Sequence, residues 1–421
     1  MIFKLTRVGV RLMNKNLCTL QINFAKSIST VKIPDPNLDT SYICDPKNRI
    51  SISENIKHRK GVGDIDKVLQ LSKDPDKNEE FLKELSKIPN KTDPRVLEYG
   101  EQGKILSETP VRTYDFQPQT FIELAKNLKL IRIDQLGPVC GPKSYILLGD
   151  LAQLEEALVQ FSVKRLLECG FRCISVPDIL PKTVIERCGM IADGDHTLIY
   201  TLDKAYGDVC LSGTAEMALA MHLMNKEINE ETLPVKLAAV SRCFRAEASN
   251  NAEESGIYRV HQFTKVEMFA CASENKSSEF LEEIVEIQKN IFKDLGLGFK
   301  IIDMPSHDLG APAYRKIDIE GWLPGKNSYG ELSSCSNCTD FQSRRLNIKY
   351  KDSNSNELKY VHTLNGTACA IPRSLIAICE SYQLKDGRIE IPKVLVPFMN
   401  GKTIIETQKV GDMRTYKYKT R

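Results

Sequence analysis

The sequence has one tryptophan and only 7% aromatic residues, and no uninterrupted apolar stretch comes near the length of a membrane helix, which takes roughly 18 residues or more. A helical membrane span is therefore excluded. It also lacks a surplus of either charge, with 58 Lys and Arg against 55 Asp and Glu, a net of +3. Bulk attraction to polyanions is thereby excluded, so any contact with nucleic acid must come from local patches. The thirteen cysteines show no spacing of a disulfide framework and are expected to be reduced. One CxxC, Cys335 with Cys338, has no second pair or close histidine. A structural zinc site takes four ligands, so no zinc is expected. Acidic residues are missing from the first 34 positions, where Lys4, Arg7, Arg11, Lys15, Lys26 and Lys32 interleave with Ile2, Phe3, Leu5, Val8, Val10 and Leu12. That pattern predicts a mitochondrial transit peptide over about residues 1–30. Without those 34 positions the chain has 52 basic against 55 acidic residues, a net of −3.

What is present fits one large α+β unit with an appendage: 421 residues, 42% hydrophobic. From residue 31 to 110 the chain is charged and helix-like. IDKVLQLSK and EEFLKELSKI there predict two short helices separated by the turn DPDKN. Further on, Phe280, Leu281, Ile284, Ile287, Ile291 and Leu295 recur at helical spacing, with Gly296 at the C-cap position. Leu375, Ile376, Cys379 and Tyr382 predict another helix just after Pro372. This places Arg373 at a helix N-terminus, where free amides and the helix dipole favour phosphate.

The most informative stretch is VSRCFRAEASNNAEESGIYRVHQFTKVEMF, residues 240–269. Two alternating runs joined by a polar loop predict a hairpin. Side chains on a strand alternate, so Arg259, His261, Phe263, Lys265 and Glu267 are expected on one face and Tyr258, Val260, Val266 and Met268 on the other. Arg245 and Glu247 share one side of the first run. Both charge signs and an aromatic ring on one face suit a nucleotide or zwitterion better than water.

Arg-x-Glu, a loop and YRVHQFTKVEMF resemble motif 2 of class II aminoacyl-tRNA synthetases, in the form found in seryl-tRNA synthetases. Three further blocks fall in that family's order. LSGTAEMALA (211–220) resembles the TxE element for serine. GELSSCSNCTDFQSRR (330–345) and TLNGTACAIPRSLIAICESYQLKDGRIEIP (363–392) follow, the latter resembling motif 3. LEEALVQFSVKRLLECGF and the strand-like CISVPDIL, with Pro177, resemble motif 1 and its dimer interface.

The resemblance implies an antiparallel sheet flanked by helices over residues 111–400, after a shortened tRNA-binding arm at 31–110 and before a basic tail at 401–421. It implies serine activation by ATP and transfer to tRNA(Ser) in the mitochondrial matrix, with Arg245 and Arg373 as the catalytic cations. ATP would contact Arg245, Ala246, Glu247, Val260, Phe263, Glu331, Leu332, Ser333, Ser334 and Arg373. Arg245 would hold the α-phosphate and Glu247 would read the purine amine. Phe263 and Arg373 would sandwich the adenine, and Glu331 with Ser334 would hold Mg2+. Serine would contact Thr214, Ala215, Glu216, Glu267 and Thr367, with Thr214 and Glu216 accepting its ammonium group and Glu267 with Thr367 engaging its hydroxyl.

A homodimer is implied, and the short arm raises the alternative of a heterodimer with a related subunit. The motif 2 loop carries Asn250, Asn251, Glu253, Glu254 and Ser255, whose carboxylates are expected to weaken contact with an RNA backbone. Two further readings stay open at this point: a synthetase-like partner or regulator that no longer charges tRNA, and an aminoacyl ligase acting on a carrier protein.

Overall fold

The structure, a computed structural model, describes residues 33–133, 140–141, 143–192, 197–247 and 256–407. The predicted transit peptide, the motif 2 loop residues 250–255 and the tail cations Lys409, Arg414, Lys417, Lys419 and Arg421 lie outside the described residues.

After a single helical turn at Thr40–Ile43, three short helices follow: α1 (Arg49–His58), α2 (Ile65–Leu71) and α3 (Asn78–Ser86). The two helices predicted from the sequence are α2 and α3. Asp64 caps α2 by accepting from the Asp66 and Lys67 N–H groups. Lys67 reaches across to Glu80 and Glu84 of the neighbouring helix, at 3.3 and 3.2 Å. Ile52, Ile56, Ile65, Val68, Leu85 and Ile88 form a small core of their own.

Eight strands make the main sheet: β1 (Lys104–Glu108), β2 (Arg172–Cys173), β3 (Val235–Phe244), β4 (Gln262–Ala272), β5 (Phe299–Asp303), β6 (Arg315–Leu323), β7 (Ser328–Asn337) and β8 (His362–Ala370). Their spatial order is β1-β5-β6-β7-β8-β4-β3-β2. Each neighbouring pair is antiparallel except β2 with β3. Strand β1 belongs to this sheet, so the large unit begins before residue 111.

The alternation in β4 sends Val266, Met268 and Ala270 into one core and Phe269 and Cys271 into another on the opposite face. On the first face lie α4 (Gly149–Glu168), α6 (Ser277–Asp294) and α8 (Ile371–Ser381), whose apolar stripes fill the larger core. The predicted stripe from Phe280 to Leu295 is buried there, and Gly296 follows the helix with φ +67. On the second face, α5 (Ala215–Leu223) covers the β3 and β4 end and α7 (Phe341–Leu346) packs beside it. The rest of that face is left for the site.

Two expectations change in the structure. The strand expected over 173–180 divides into Arg172–Cys173 and Ile179–Pro181, because Pro177 has no N–H to continue a ladder. The second run of the hairpin becomes regular only at Gln262, since residues 256–259 form a turn. Gly256 enters that turn at φ +77, where a Cβ would come within 2.8 Å of Ile122.

Candidate active site

Two irregularities in the ladders decide which side chains meet. Along β6 and β7, Ile319 pairs with Ser333 but Glu320 pairs with Glu331, so Leu332 is an extra residue. On a regular strand Glu331 and Ser334, three apart, would face opposite ways. The bulge brings both to the face of Asp318, which sits opposite Ser334 and bonds to it. A second shift, between Val266 and Glu267, sets Glu267 directly against Thr367 on β8.

A cavity opens over this floor, lined by Arg245, Glu247, Tyr258, Phe263, Glu331 and Arg373 among others. Arg245 stands one residue past β3; its N–H donates to the His261 carbonyl at 2.9 Å, and its guanidinium lies 5.4 Å from the Phe263 ring centroid. Glu247 is buried and paired with Arg259 at 3.3 Å. Arg373, in the first turn of α8, reaches the Glu331 carboxylate at 3.2 Å and its carbonyl at 3.1 Å, and stacks 4.6 Å from the Tyr258 ring. Burial alone would raise the Glu331 carboxyl, yet Arg373, Lys316 and Arg245 together hold it below its ordinary value.

Beside the cavity is a polar cluster. Thr214 caps α5, its hydroxyl accepting from the Glu216 N–H at 3.3 Å and from the Lys265 ammonium at 2.8 Å. The same hydroxyl donates to Glu267 at 3.1 Å, and Lys265 forms an ion pair with Glu267. Glu216 accepts from the Gln342 side chain at 2.6 Å and from Asn365 at 3.0 Å. Burial, with the like charge of Glu267 adding to it, pushes the Glu216 carboxyl up to about 7 in spite of those two donors.

Some expected site residues stand back from the cavity. Ala246 donates its N–H to the Leu198 carbonyl at 2.9 Å, and Ala215 is buried within α5. Val260 and Leu332 line the wall from the apolar side, both in the main core. Ser333 also lines the wall and donates its hydroxyl to the Thr367 carbonyl at 2.5 Å. His261 lies with its Nδ1 2.8 Å from the Tyr200 hydroxyl, and Tyr258 faces the cavity, the reverse of the regular alternation.

Lys265, Tyr258, Gln342, Asn365 and Asp318 had no assigned role in the sequence. The alternation of β4 could have pointed to Lys265; nothing local marks Asp318. Among the described residues Oδ1 of Asp318, deep beneath the site, has no hydrogen-bond partner. With Glu331 and Ser334 it makes an all-oxygen donor set of the kind a hard dication prefers. Cys335 is directed to the Ile317 carbonyl and Cys338 toward Asn365. Among the described residues no three His, Cys, Asp or Glu side chains gather as a metal site.

Sheet, bulges and cation-lined cavity together define the class II aminoacyl-tRNA synthetase fold, and residues 200–382 match the tRNA synthetase class II core domain (G, H, P, S and T). The structure is similar to that of seryl-tRNA synthetase from Pyrococcus horikoshii complexed with ATP, with a TM-score of 0.75 and 28% identity, covering 95% of this chain and 99% of that one. In sequence it is 40% identical over 344 residues to the mitochondrial serine--tRNA ligase of Saccharomyces cerevisiae, covering 80% of this chain and 76% of the yeast protein. It is 42% identical over 339 residues to the mitochondrial serine--tRNA ligase of Bos taurus, covering 79% of this chain. The match spans 65% of the bovine protein, less than two thirds of its length. The chain belongs to the seryl-tRNA synthetase family.

Proposed function

We propose that this chain activates serine with ATP and transfers it to the 3′ end of mitochondrial tRNA(Ser). The observation that carries this reading is the adjacency of two sites on one sheet face. The cavity bounded by Arg245 and Arg373 shares Lys265 and Thr367 with the cluster of Thr214, Glu216 and Glu267.

In the first step an oxygen of the serine carboxylate attacks the α-phosphorus. The bond to the leaving phosphate breaks, giving seryl-adenylate and pyrophosphate. In the second, a ribose hydroxyl of the terminal adenosine attacks the seryl carbonyl and AMP departs. Neither step needs an enzyme nucleophile, so rate must come from alignment and from cations facing the developing charge.

Arg245 would hold the α-phosphate and Glu247 the purine amine. Phe263 and Arg373 would flank the adenine, with the Ala246 and Ser333 backbones nearby. Thr214 and Glu216 would receive the ammonium group, and Glu267 with Thr367 the hydroxyl. Mg2+ would be held by Glu331 and Ser334; the unpartnered Asp318 oxygen supports that fit. When bound, the ion supplies neutralising charge along the phosphates.

The chain would act in mitochondria, in keeping with its basic, acid-free start and with the mitochondrial names of the bovine and yeast relatives. It would act as a dimer, and the short α2 and α3 leave room for a related subunit to supply a tRNA-gripping arm. Serine-dependent ATP–pyrophosphate exchange, run beside charging of mitochondrial serine tRNA, tests this. Exchange with charging by a pure homodimer supports a self-sufficient ligase and removes the partner. Exchange without charging points to the partner subunit, and no exchange overturns the reading.

A further inference from the structure

Arg59 follows α1 directly and is buried, 3% exposed, and among the described residues no carboxylate is paired with it. Its guanidinium donates to the carbonyls of Asn90 at 2.8 Å and Ala311 at 3.3 Å, and to that of Gly310. Burial lowers its pKa to about 10, so it stays charged. Asn90, after α3, donates its side-chain amide to the carbonyls of Pro312 and Cys338, both at 2.8 Å, and to the Thr339 hydroxyl at 2.9 Å. One arginine and one asparagine thus fasten the N-terminal helices to the loop before β6 and the loop after β7.

The second loop leads straight to the serine cluster. Thr339 has φ +44, a left-handed conformation that a β-branched residue adopts only when its surroundings hold it there. The Cys338 thiol accepts from the Asn365 amide at 3.5 Å, and that amide donates to Glu216 at 3.0 Å. Two residues on from Thr339, α7 begins and presents Gln342, the other donor to Glu216 at 2.6 Å. Both amides that orient Glu216 therefore adjoin the turn that Asn90 holds, Gln342 being held as well by the Cys188 carbonyl at 3.2 Å and the Thr363 hydroxyl at 2.7 Å.

We propose that Asn90 and Arg59 are positioning residues for the amino-acid pocket: the N-terminal helices fix the strained turn at Cys338–Thr339, and the turn fixes the donors that aim Glu216. The link to serine rests on the function proposed above. The part these helices play is then separate from any grip on tRNA.

The test is steady-state pyrophosphate exchange by the full chain carrying Asn90→Ala or Arg59→Met. A small displacement of a positioned group is costly, so the serine KM is expected to rise about tenfold or more while the ATP KM stays within about twofold. Arg59→Lys, which keeps the charge with fewer donors, should fall between. Ile52→Val, in the core of the same helices but off the anchor, should leave both constants unchanged. Thr339→Ala removes one acceptor and serves if Asn90→Ala fails to fold. An unchanged serine KM, or equal rises for serine and ATP, overturns the proposal.

Hydrogen exchange of the unliganded chain separates this failure from that of the functional reading. Faster exchange at residues 214–217 and 341–343 in Asn90→Ala or Thr339→Ala upholds the anchor even if the wild type shows no activity with serine. Unchanged exchange there removes it.

Discussion

Glu267 and Thr367 stand directly opposite one another across the ladder of β4 and β8, just past a register shift, and Glu267 is only 2% exposed. A carboxylate and a hydroxyl buried together leave unsatisfied groups when a ligand without a hydroxyl is bound. Thr367→Val is expected to lower kcat/KM for serine by about 10²-fold and to change it little for alanine, with the ATP KM unaffected. Pyrophosphate exchange with the two amino acids measures the narrowing.

Lys265 is the counter-charge of Glu267 and the donor to Thr214. Lys265→Met strands a buried carboxylate, and breaking such a pair from one side costs about 3–5 kcal/mol. Adding Glu267→Gln should restore most of that stability but no activity. Urea unfolding of the two single variants and the double variant gives the coupling.

Arg373 is held by Glu331 and by the face of Tyr258. On the proposed function Arg373→Ala removes a cation that flanks the bound nucleotide and should reduce kcat/KM for ATP by about 10²–10³-fold. Because its grip depends on both neighbours, Arg373→Lys should recover little, as an ammonium cannot stack and bond in the same way. Exchange rates against ATP concentration decide this.

Glu216 gives the chain a pH dependence of known sign. Its carboxyl is raised from the ordinary 4.5 to about 7 by burial. Between those values the folded state holds a proton that the unfolded state has lost, so stability falls as pH rises through that window and is flat below it. Glu216→Gln should remove this component, seen as a shallower decline of Tm from pH 4.5 to 7. In the wild type serine should bind more weakly as pH falls below about 7, where a neutral Glu216 no longer attracts the ammonium. That slope should be absent in the variant.

Gly366 lies between Asn365 and Thr367 with α6 packed against it. A Cβ there would sit 2.7 Å from the Ile284 methyl and 3.3 Å from the Cys335 Cβ. Gly366→Ala should cost about 1–3 kcal/mol through overpacking and disturb the serine KM through its neighbour Thr367. Tm and the KM for serine report the two effects.

Much of the candidate site's placement could be read from order along the chain. TAE at a helix start, RAE at a strand end, the face containing Lys265 and Glu267, and an arginine after proline at a helix start all depend on local pattern. The bulges could not be read this way. Nothing in GELSS shows that Leu332 is the unpaired residue, yet this decides whether Ser334 joins Glu331 or turns to the core. Tyr258 and His261 exchange places because Gly256 turns the chain, and the strand expected over 173–180 breaks at a proline whose cost depends on its neighbours. Gln342, Asn365 and Asp318 meet the site from three separate elements, a relation only tertiary structure provides.

The two anchors also define where the chain can change length. Arg59 and Asn90 bracket the packed pair α2 and α3 in sequence, and the turn at Pro75–Lys77 joins the two helices, with none of its residues buried. Segments inserted or removed at that turn lengthen or shorten the connection and leave both ends of the pair fastened. An arm of any reach could therefore be grafted between Leu71 and Asn78 without touching the cluster around Glu216; on the proposed function, reach toward RNA and choice of amino acid would then vary independently.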